Sequence, residues 1–277
     1  MEQIPKILHQ IWYQGFDQLP PRYKPWFQQW GELHPDWNHH CWDEQQIRSL
    51  IKEQYPGYLD LFDSYKKRIQ RIDLARIFIL HHYGGVYADM DTQPLKPLDS
   101  LVLGNGTQLF FDNICPEKPF PLQLQALLYS NGSLRKGPII NNDFMGSTTG
   151  HPFWKEVMTH LKPDSPAPVG RPEILHILNA TGPLFLSKIL RAGRWIKDSG
   201  TKLIDPELVS PGMMKRSRAK WLGGDPDQVK VDLSKAYLLH HGDNSWMPDK
   251  RKFIGKYMVI VSIALIALIL TIRVLKR

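Results

Sequence analysis

The sequence predicts an α/β domain that is followed by an apolar C-terminal segment. A length of 277 residues suits one large domain with additions, and a content of 42% hydrophobic and 22% charged residues is typical of a globular protein. Segments with β-strand character alternate with helical segments along most of the chain. Near the end, residues 257–272 carry no charge. We therefore divide the chain into a folded domain, residues 1–250, a transmembrane helix, residues 254–273, and a short basic tail, residues 274–277.

The charge balance indicates an anionic partner. The net charge is +8, and basic residues cluster late in the chain, at 215–220 and 250–256. Nucleotide sugars, anionic lipid surfaces and nucleic acid all fit such a balance. Without a zinc-finger or RNA-recognition signature, we expect no nucleic-acid partner. Cys41 and Cys115 form no Cys-x-x-Cys pattern, so we expect no zinc site, and a disulfide between them stays open.

The first elements can be assigned from apolar spacing and capping residues. Residues 1–6 contain no apolar run, so neither a signal peptide nor an N-terminal anchor is expected. Residues 6–12 have the character of a strand. Asp43 is placed to cap a helix that runs to about Tyr55. A second helix over residues 66–83 is apolar nearly all round, which predicts that it is buried.

This buried helix leads into two aspartates. Gly84 and Gly85 can adopt the backbone that ends a helix, and the next two residues suit a strand. On a strand, residues two apart point the same way, so Asp89 and Asp91 are expected to converge. Two hard oxygen ligands at one point are suited to Mg²⁺ or Mn²⁺.

Asp73 and Arg76 are charged residues in this otherwise apolar helix. They are three residues apart and therefore lie on one helix face. Buried charges need partners. The pair is either a structural ion pair or part of a polar ligand site beside the metal, and the sequence leaves both open.

The later elements are predicted in less detail. Thr181 is placed to cap a helix that Pro183 begins. Residues 115–138 are rich in loop formers. The expected elements are strands at 109–112, 139–147 and 236–241 and a helix from 152 to about 161.

Several motifs in fixed order resemble glycosyltransferase family 32. They are the segment 71–76, the Tyr-Gly-Gly-Val-Tyr segment 83–87 and the Asp-Met-Asp segment 89–91. The family includes yeast-type mannosyltransferases of glycans and sphingolipids. The resemblance implies a GT-A fold, a retaining reaction, and a nucleotide sugar whose diphosphate is held through a divalent cation on Asp89 and Asp91.

The resemblance also assigns roles on the donor side. Gln10, Ile11 and Trp12, at the end of the first strand, are expected to border the base or ribose. Trp12 either stacks on the base or is simply part of the core. Asp73 is expected to bind donor hydroxyls, and Arg76 to add a positive contact to the diphosphate.

Further roles follow for later residues. Asn142 and Asp143 are candidates for acceptor hydroxyl contacts, or they form an Asx turn. His240 or His241 is expected to be a third metal ligand. Ser245 and Trp246 are expected to close over the diphosphate and donate hydrogen bonds to it. By contrast, His39 and His40 are adjacent in the segment 35–43, which is similar to the second strand of the family. Adjacent residues on a strand face opposite ways, so these histidines are expected to pack rather than bind metal.

The apolar segment near the C-terminus predicts a single-pass membrane anchor. Its sixteen residues would make a helix of roughly 24 Å, which Lys256 and Arg273 can extend by snorkelling. A buried core helix is the alternative. Orientation stays open, because basic residues flank both ends. Three glycosylation sequons, at Asn105, Asn131 and Asn179, and the family resemblance favour the Golgi or another endomembrane compartment.

The best specific hypothesis is transfer of mannose from GDP-mannose to inositol phosphoceramide. The His-His and Ser-Trp segments near residues 240–246 are similar to the sphingolipid-directed members. A glycan or polysaccharide acceptor with a GDP- or UDP-sugar is the alternative. A non-catalytic, membrane-tethered sugar-binding module is the alternative of another class. A regulatory membrane subunit is a further candidate partner. The sequence leaves open whether the retaining reaction uses a covalent intermediate or same-face attack.

Overall fold

The computed structural model describes most of the folded domain. The described residues are 2–103, 106–113, 138–167, 173–193, 195–198, 200–213, 215–216, 219, 224–225 and 228–243. The predictions for Cys115, Ser245, Trp246, the sequons at Asn105 and Asn131, and the anchor at 254–273 fall outside them. None of the helices in the described ranges is long and apolar enough to cross a membrane.

Strands and helices alternate as expected. The strands are β1 (Ile7–Ile11), β2 (Asn38–Trp42), β3 (Gly85–Ala88), β4 (Thr92–Pro94), β5 (Leu109–Asn113), β6 (Ile140–Ser147), β7 (Thr201–Ile204) and β8 (Leu238–His240). The helices are α1 (Lys24–Leu33), α2 (Glu44–Gln54), α3 (Leu59–Ser64), α4 (Arg68–Tyr83), α5 (Asp99–Val102), α6 (Pro152–Thr159), α7 (Glu173–Ala180), α8 (Pro183–Ala192) and α9 (Pro206–Val209).

Six strands form one mixed sheet in the order β2-β1-β3-β6-β5-β7. Strand β1 pairs parallel with β2 and β3, whereas β6 pairs antiparallel with β3 and β5. Strand β7 pairs parallel with β5. A separate antiparallel pair joins β4 to β8. The α/β class is therefore confirmed, and β3 lies in the middle of the main sheet.

Both faces of β3 are buried. Tyr87 packs into the core that contains most of α4, while Val86 and Ala88 pack into the core that contains Trp30 of α1. This alternation follows from the twofold period of a strand. Burial on both sides explains why β3 is apolar throughout, and it fixes the point at which the chain leaves the sheet toward Asp89.

The glycine pair ends α4 as predicted. Gly84 and Gly85 have φ values of 64° and 88°, which side-chain-bearing residues rarely adopt. A Cβ on Gly85 would lie 2.6 Å from the carbonyl oxygen of Ile7. The pair thus allows both the turn out of the helix and the close approach of β3 to β1.

Two predicted helix starts have different outcomes. Asp43 caps α2: its carboxylate accepts from the amide of Gln46, and the Gln46 side chain accepts from the amide of Asp43. The prediction that Thr181 caps a helix is wrong. Gly182 precedes α8 without a side-chain cap, and the Thr181 hydroxyl donates to Asp73 instead, because Thr181 is buried against α4.

Candidate functional site

A turn brings Asp89 and Asp91 together. Strand β3 ends at Ala88, and the amide of Thr92 donates to the carbonyl of Asp89 across 3.0 Å. The predicted convergence is present, but a four-residue turn produces it rather than the period of a strand. The Thr92 hydroxyl also donates to the Asp89 carbonyl, at 2.5 Å, which fixes the turn further.

Strand β8 delivers a third side chain to this turn. The register of the β4–β8 pair sets His240 opposite Thr92. The Nε2 atom of His240 lies 3.3 Å from Asp91 Oδ1. Ligand atoms of Asp89, Asp91 and His240 all lie within 4.8 Å of one another. Two carboxylates and one imidazole form a donor set that suits Mn²⁺, and their spacing fits a single ion.

His241 is directed away from this group. Its ring stacks on Trp26, with the ring centroids 4.1 Å apart, and its Nε2 atom lies 3.2 Å from the amide oxygen of Gln93. Of the two histidines predicted as alternatives, the structure brings His240 to the aspartates.

The three side chains differ in proton affinity. Burial, aided by Asp91 and Asp143, raises the pKa of Asp89 to about 6 although Arg76 opposes the shift. Burial also acts to raise the pKa of Asp91, but His240 and the Asp243 amide hold that pKa below its usual range. Burial acts to lower the pKa of His240, and the surrounding carboxylates outweigh it and raise the pKa well above its ordinary value. A cation at this point would therefore displace protons.

Arg76 connects the turn to helix α4. Its guanidinium lies 3.2 Å from Asp89 Oδ1 and 3.8 Å from Asp73 Oδ1. It also donates to the carbonyl of Asn142 at 2.6 Å. The side chains of Asp73, Arg76 and Asp89 thus form one charged row that is buried in α4 and partly exposed at the turn.

Asp73 is held by two donors besides Arg76. The Asn142 side chain donates to Asp73 Oδ1 at 2.8 Å, and the Thr181 hydroxyl donates to Oδ2 at 2.9 Å. Burial raises the pKa of Asp73 despite these contacts. Asp73 and Arg76 form an ion pair and also line a cavity. The ion pair predicted as one alternative is present, and their role in binding a ligand stays a prediction.

A cavity of about 320 Å³ joins these residues. Its polar lining includes Asp73, Arg76, Asp89, Asp91, Asn142, Asp143 and His240, together with Gln14, Arg68 and Asn141. Its apolar lining includes Ile11, Trp12, Ile69, Ile72, Ile177 and Leu178. The cavity therefore offers a charged side that includes the candidate metal ligands and an apolar side formed by α4, α7 and the end of β1.

The residues predicted at the end of β1 differ in position. Ile11 and Trp12 line the cavity, and the Trp12 ring is only partly buried, with its Nε1 donating to Gln18. Gln10 is buried outside the lining and donates to the Asp89 carbonyl at 3.3 Å. Gln10 thus supports the turn rather than facing the cavity.

Two residues near the carboxylates were not anticipated. The Tyr87 hydroxyl donates to Asp89 Oδ1 at 2.6 Å, and the Arg76 guanidinium lies 4.8 Å from the centre of the Tyr87 ring. Tyr87 precedes Asp89 by two positions, a spacing that could have indicated it. Thr181 offered no comparable signal, because its contact with Asp73 depends on tertiary packing.

Comparisons with known proteins agree with this geometry. Residues 20–110 match the model of a glycosyltransferase sugar-binding region containing a DXD motif. A mannosyl phosphorylinositol ceramide synthase of Saccharomyces cerevisiae is 34% identical over 207 residues, which cover 73% of this chain and 47% of the relative. A second synthase of that yeast is 32% identical over 248 residues, which cover 88% and 55%.

The chain spans about half the length of these curated relatives. Among solved structures, a galactosyltransferase with donor and acceptor sugar analogues is 10% identical, with a TM-score of 0.44, over 93% of this chain and 95% of that chain. The resemblance inferred from the sequence motifs is confirmed: this chain carries the DXD-containing sugar-binding region of glycosyltransferases and is related to the inositol phosphoceramide mannosyltransferases.

Proposed function

We propose that this protein is a metal-dependent, retaining glycosyltransferase with a GT-A fold. The observation that carries the proposal is the convergence of Asp89, Asp91 and His240 on the wall of a cavity that also contains Asp73 and Arg76. A cation site beside a buried arginine is suited to a diphosphate. The similarity to mannosyltransferases over most of the chain supports the same conclusion.

Asp89, Asp91 and the Nε2 atom of His240 would hold Mn²⁺ or Mg²⁺. The bound ion would supply Lewis-acid stabilisation of the charge that develops on the departing nucleoside diphosphate. The chain's own contribution is to fix these ligands: Thr92 closes the turn, and the Asp243 amide donates to Asp91 Oδ2 at 2.8 Å. Metal ligands that are already fixed in place need little reorganisation during the reaction.

Arg76 and Asp73 would act on the donor. Arg76 is buried and placed by Asn142 and Asp89, so its charge lies in a region of low dielectric, where its effect on a diphosphate is strong. The carboxylate of Asp73 can accept further hydrogen bonds besides those from Asn142 and Thr181, including hydrogen bonds from sugar hydroxyls. Trp12 on the apolar side offers a surface for the base or ribose.

The donor we propose is GDP-mannose, and the acceptor is inositol phosphoceramide. The names of the two yeast relatives support the mannosyl group and the acceptor, and the choice of GDP is our own proposal. A glycan or polysaccharide acceptor with a GDP- or UDP-sugar is the competing assignment. Asn142 and Asp143, proposed from the sequence as acceptor contacts, already contact Asp73 and His240 respectively. Ser245 and Trp246, which lie outside the described residues, would donate hydrogen bonds to the diphosphate.

We also propose attachment to an endomembrane such as the Golgi through residues 254–273. Support comes from the uncharged segment 257–272 and its basic flanks. The sequons add little to this support. Thr181 is the threonine of the sequon at Asn179. In the described part of the chain it is buried, and its hydroxyl donates to Asp73.

The test is a donor panel. Purified full-length protein is incubated with GDP- and UDP-sugars, with and without Mn²⁺, and sugar release or transfer to inositol phosphoceramide is measured. We expect Mn²⁺-dependent turnover that is fastest with GDP-mannose. The isosteric variant Asp91→Asn should lose most of this activity, because it removes a charged metal ligand without changing the volume of the side chain.

The variant Asp60→Asn provides a matched control, because Asp60 is exposed on α3 outside the cavity lining. It should retain wild-type rates. Turnover that is unaffected by chelation or by Asp91→Asn would contradict the metal-dependent mechanism. Binding of sugars without any turnover would instead favour the non-catalytic module.

A further inference from the structure

Asp143 lies directly behind the candidate metal ligand His240. It is part of β6, and its side chain is 3% exposed. Its Oδ2 atom lies 2.5 Å from Nδ1 of His240, whose Nε2 atom faces Asp91. The two ring nitrogens of His240 thus have different neighbours: one faces a carboxylate on the sheet, and the other faces the aspartates of the turn.

The Asp143 carboxylate has few other partners. Within the described residues, neither of its oxygens accepts a hydrogen bond that meets normal geometry, and His240 is the cationic side chain in contact with it. A buried carboxylate needs a cationic or donating partner, and for Asp143 the imidazole of His240 is that partner. Its backbone carbonyl has a separate structural role and accepts from the Asp89 amide at 2.8 Å. The side chain therefore calls for an explanation beyond the stability of the strand.

We propose that Asp143 is a positioning residue that orients His240 for metal binding. Contact with Asp143 keeps a proton on Nδ1 and leaves the lone pair of Nε2 directed toward the point between Asp89 and Asp91. The contact also holds the ring in one plane, because β6 and β8 approach from different sheets. A carboxylate behind a ligating histidine both fixes its tautomer and raises its basicity.

This inference rests on the metal site of the proposed function, and it changes the role of Asp143. The sequence suggested a contact with acceptor hydroxyls. With its side chain buried and its Oδ2 against His240, Asp143 is better placed to act through the imidazole than through a sugar. The two roles differ in a measurable way, since only the first affects cation binding when no sugar is present.

The first experiment measures Mn²⁺ affinity by electron paramagnetic resonance on full-length protein without nucleotide or acceptor. Removing such a supporting carboxylate typically weakens metal binding by about 10- to 100-fold. We expect a loss of this size for Asp143→Asn. Asp60→Asn is again the control, because Asp60 is exposed on α3 and lies outside the cavity lining. Its Mn²⁺ affinity should stay close to that of the wild type.

A double-mutant cycle separates positioning from a general structural effect. If Asp143 acts through His240, then Asp143→Asn should have little further effect on Mn²⁺ affinity once His240→Gln has removed the imidazole. Additive losses would overturn the proposal. So would wild-type Mn²⁺ affinity in Asp143→Asn combined with a raised KM for the acceptor, which would assign Asp143 to the sugar.

A measurement on the wild-type chain covers the case in which Asp143→Asn does not fold. With ¹⁵N-labelled histidine and saturating Mg²⁺, NMR should show His240 protonated at Nδ1 and unprotonated at Nε2. The opposite tautomer would overturn the proposal. Absence of sugar transfer in the donor panel would refute the proposed function and leave these cation and tautomer results standing.

Discussion

Asp89 and Asp91 are two positions apart, yet their proton affinities are shifted in opposite directions. Both are partly buried, but Asp89 lies near two other carboxylates, whereas Asp91 contacts His240 and the amide of Asp243. Local partners therefore decide which carboxylate is readily protonated. Of these two aspartates, Asp89 loses its charge first on acidification, and the affinity of the site for a cation should follow its titration.

Mn²⁺ binding should strengthen as the pH rises. The ion binds ionised Asp89, whose pKa is raised to about 6, and neutral His240, whose pKa is raised well above its ordinary value. Both groups must lose a proton, so both effects have the same sign. Affinity should fall by about tenfold for each pH unit below 6 through Asp89 alone. Titrations between pH 5 and 8 test this, and a constant affinity from pH 5 to 7 would contradict it.

Thr181→Val should weaken both the fold and the proposed donor site. The substitution keeps the shape of the side chain but removes the hydroxyl that donates to Asp73. Leaving a buried acceptor without its donor costs about 1–3 kcal/mol. Urea unfolding should detect this loss, and the KM for the donor should rise because Asp73 is less firmly held.

Thr201→Val is the matched control for this prediction. The Thr201 hydroxyl is buried on β7 and has no hydrogen-bond partner within the described residues. Removing it should leave stability unchanged or slightly higher. Equal losses of stability in both variants would show that the contact between Thr181 and Asp73 is not the cause.

At the level of elements, the junction between α4 and β3 depends on Gly85. Gly85→Ala would place a methyl group 2.6 Å from the Ile7 carbonyl at a φ of 88°. Backbone strain alone costs about 1–3 kcal/mol, and the clash would also push β3 away from β1. We expect reduced stability in urea unfolding and weaker Mn²⁺ binding, because β3 leads directly into the turn at Asp89.

Gly150→Ala allows strain and clash to be separated. Gly150 also has a positive φ, of 67°, but a Cβ there would meet no atom within 4 Å. Its substitution should cost stability through strain and leave Mn²⁺ affinity unchanged. If Gly85→Ala were no more harmful than Gly150→Ala, then close packing of β3 on β1 would not be important for the site.

The sequence predicts those elements whose determinants are local. The end of α4 follows from Gly84 and Gly85, and the start of α2 follows from Asp43. The choice between His240 and His241 could not be made in this way. It depends on the β4–β8 register, which sets His240 against Thr92 and therefore beside the aspartates. Likewise, the sequence predicts that Asp89 and Asp91 converge, but not that a turn is the cause.

At the scale of the molecule, the site joins distant parts of the chain. Asp91 and Asp243 are 152 positions apart, and a hydrogen bond of 2.8 Å connects them. The candidate ligands come from the turn after β3 and from β8, which belongs to the small sheet. A cation held by Asp89, Asp91 and His240 would therefore cross-link the main sheet to the C-terminal part of the described chain.

Mn²⁺ should consequently stabilise the whole folded domain. A ligand that binds only the native state adds about 2.7 kcal/mol at a concentration 100 times its Kd. Each kcal/mol corresponds to a rise in Tm of about 2–4 °C for domains of this approximate size, so the melting temperature should increase by several degrees. Thermal unfolding with Mn²⁺ and with EDTA measures the difference.

In Asp91→Asn and His240→Gln the increase should largely disappear, because each variant lacks a ligand from one side of the cross-link. A full increase in His240→Gln would mean that the cation binds the turn alone and does not connect it to β8.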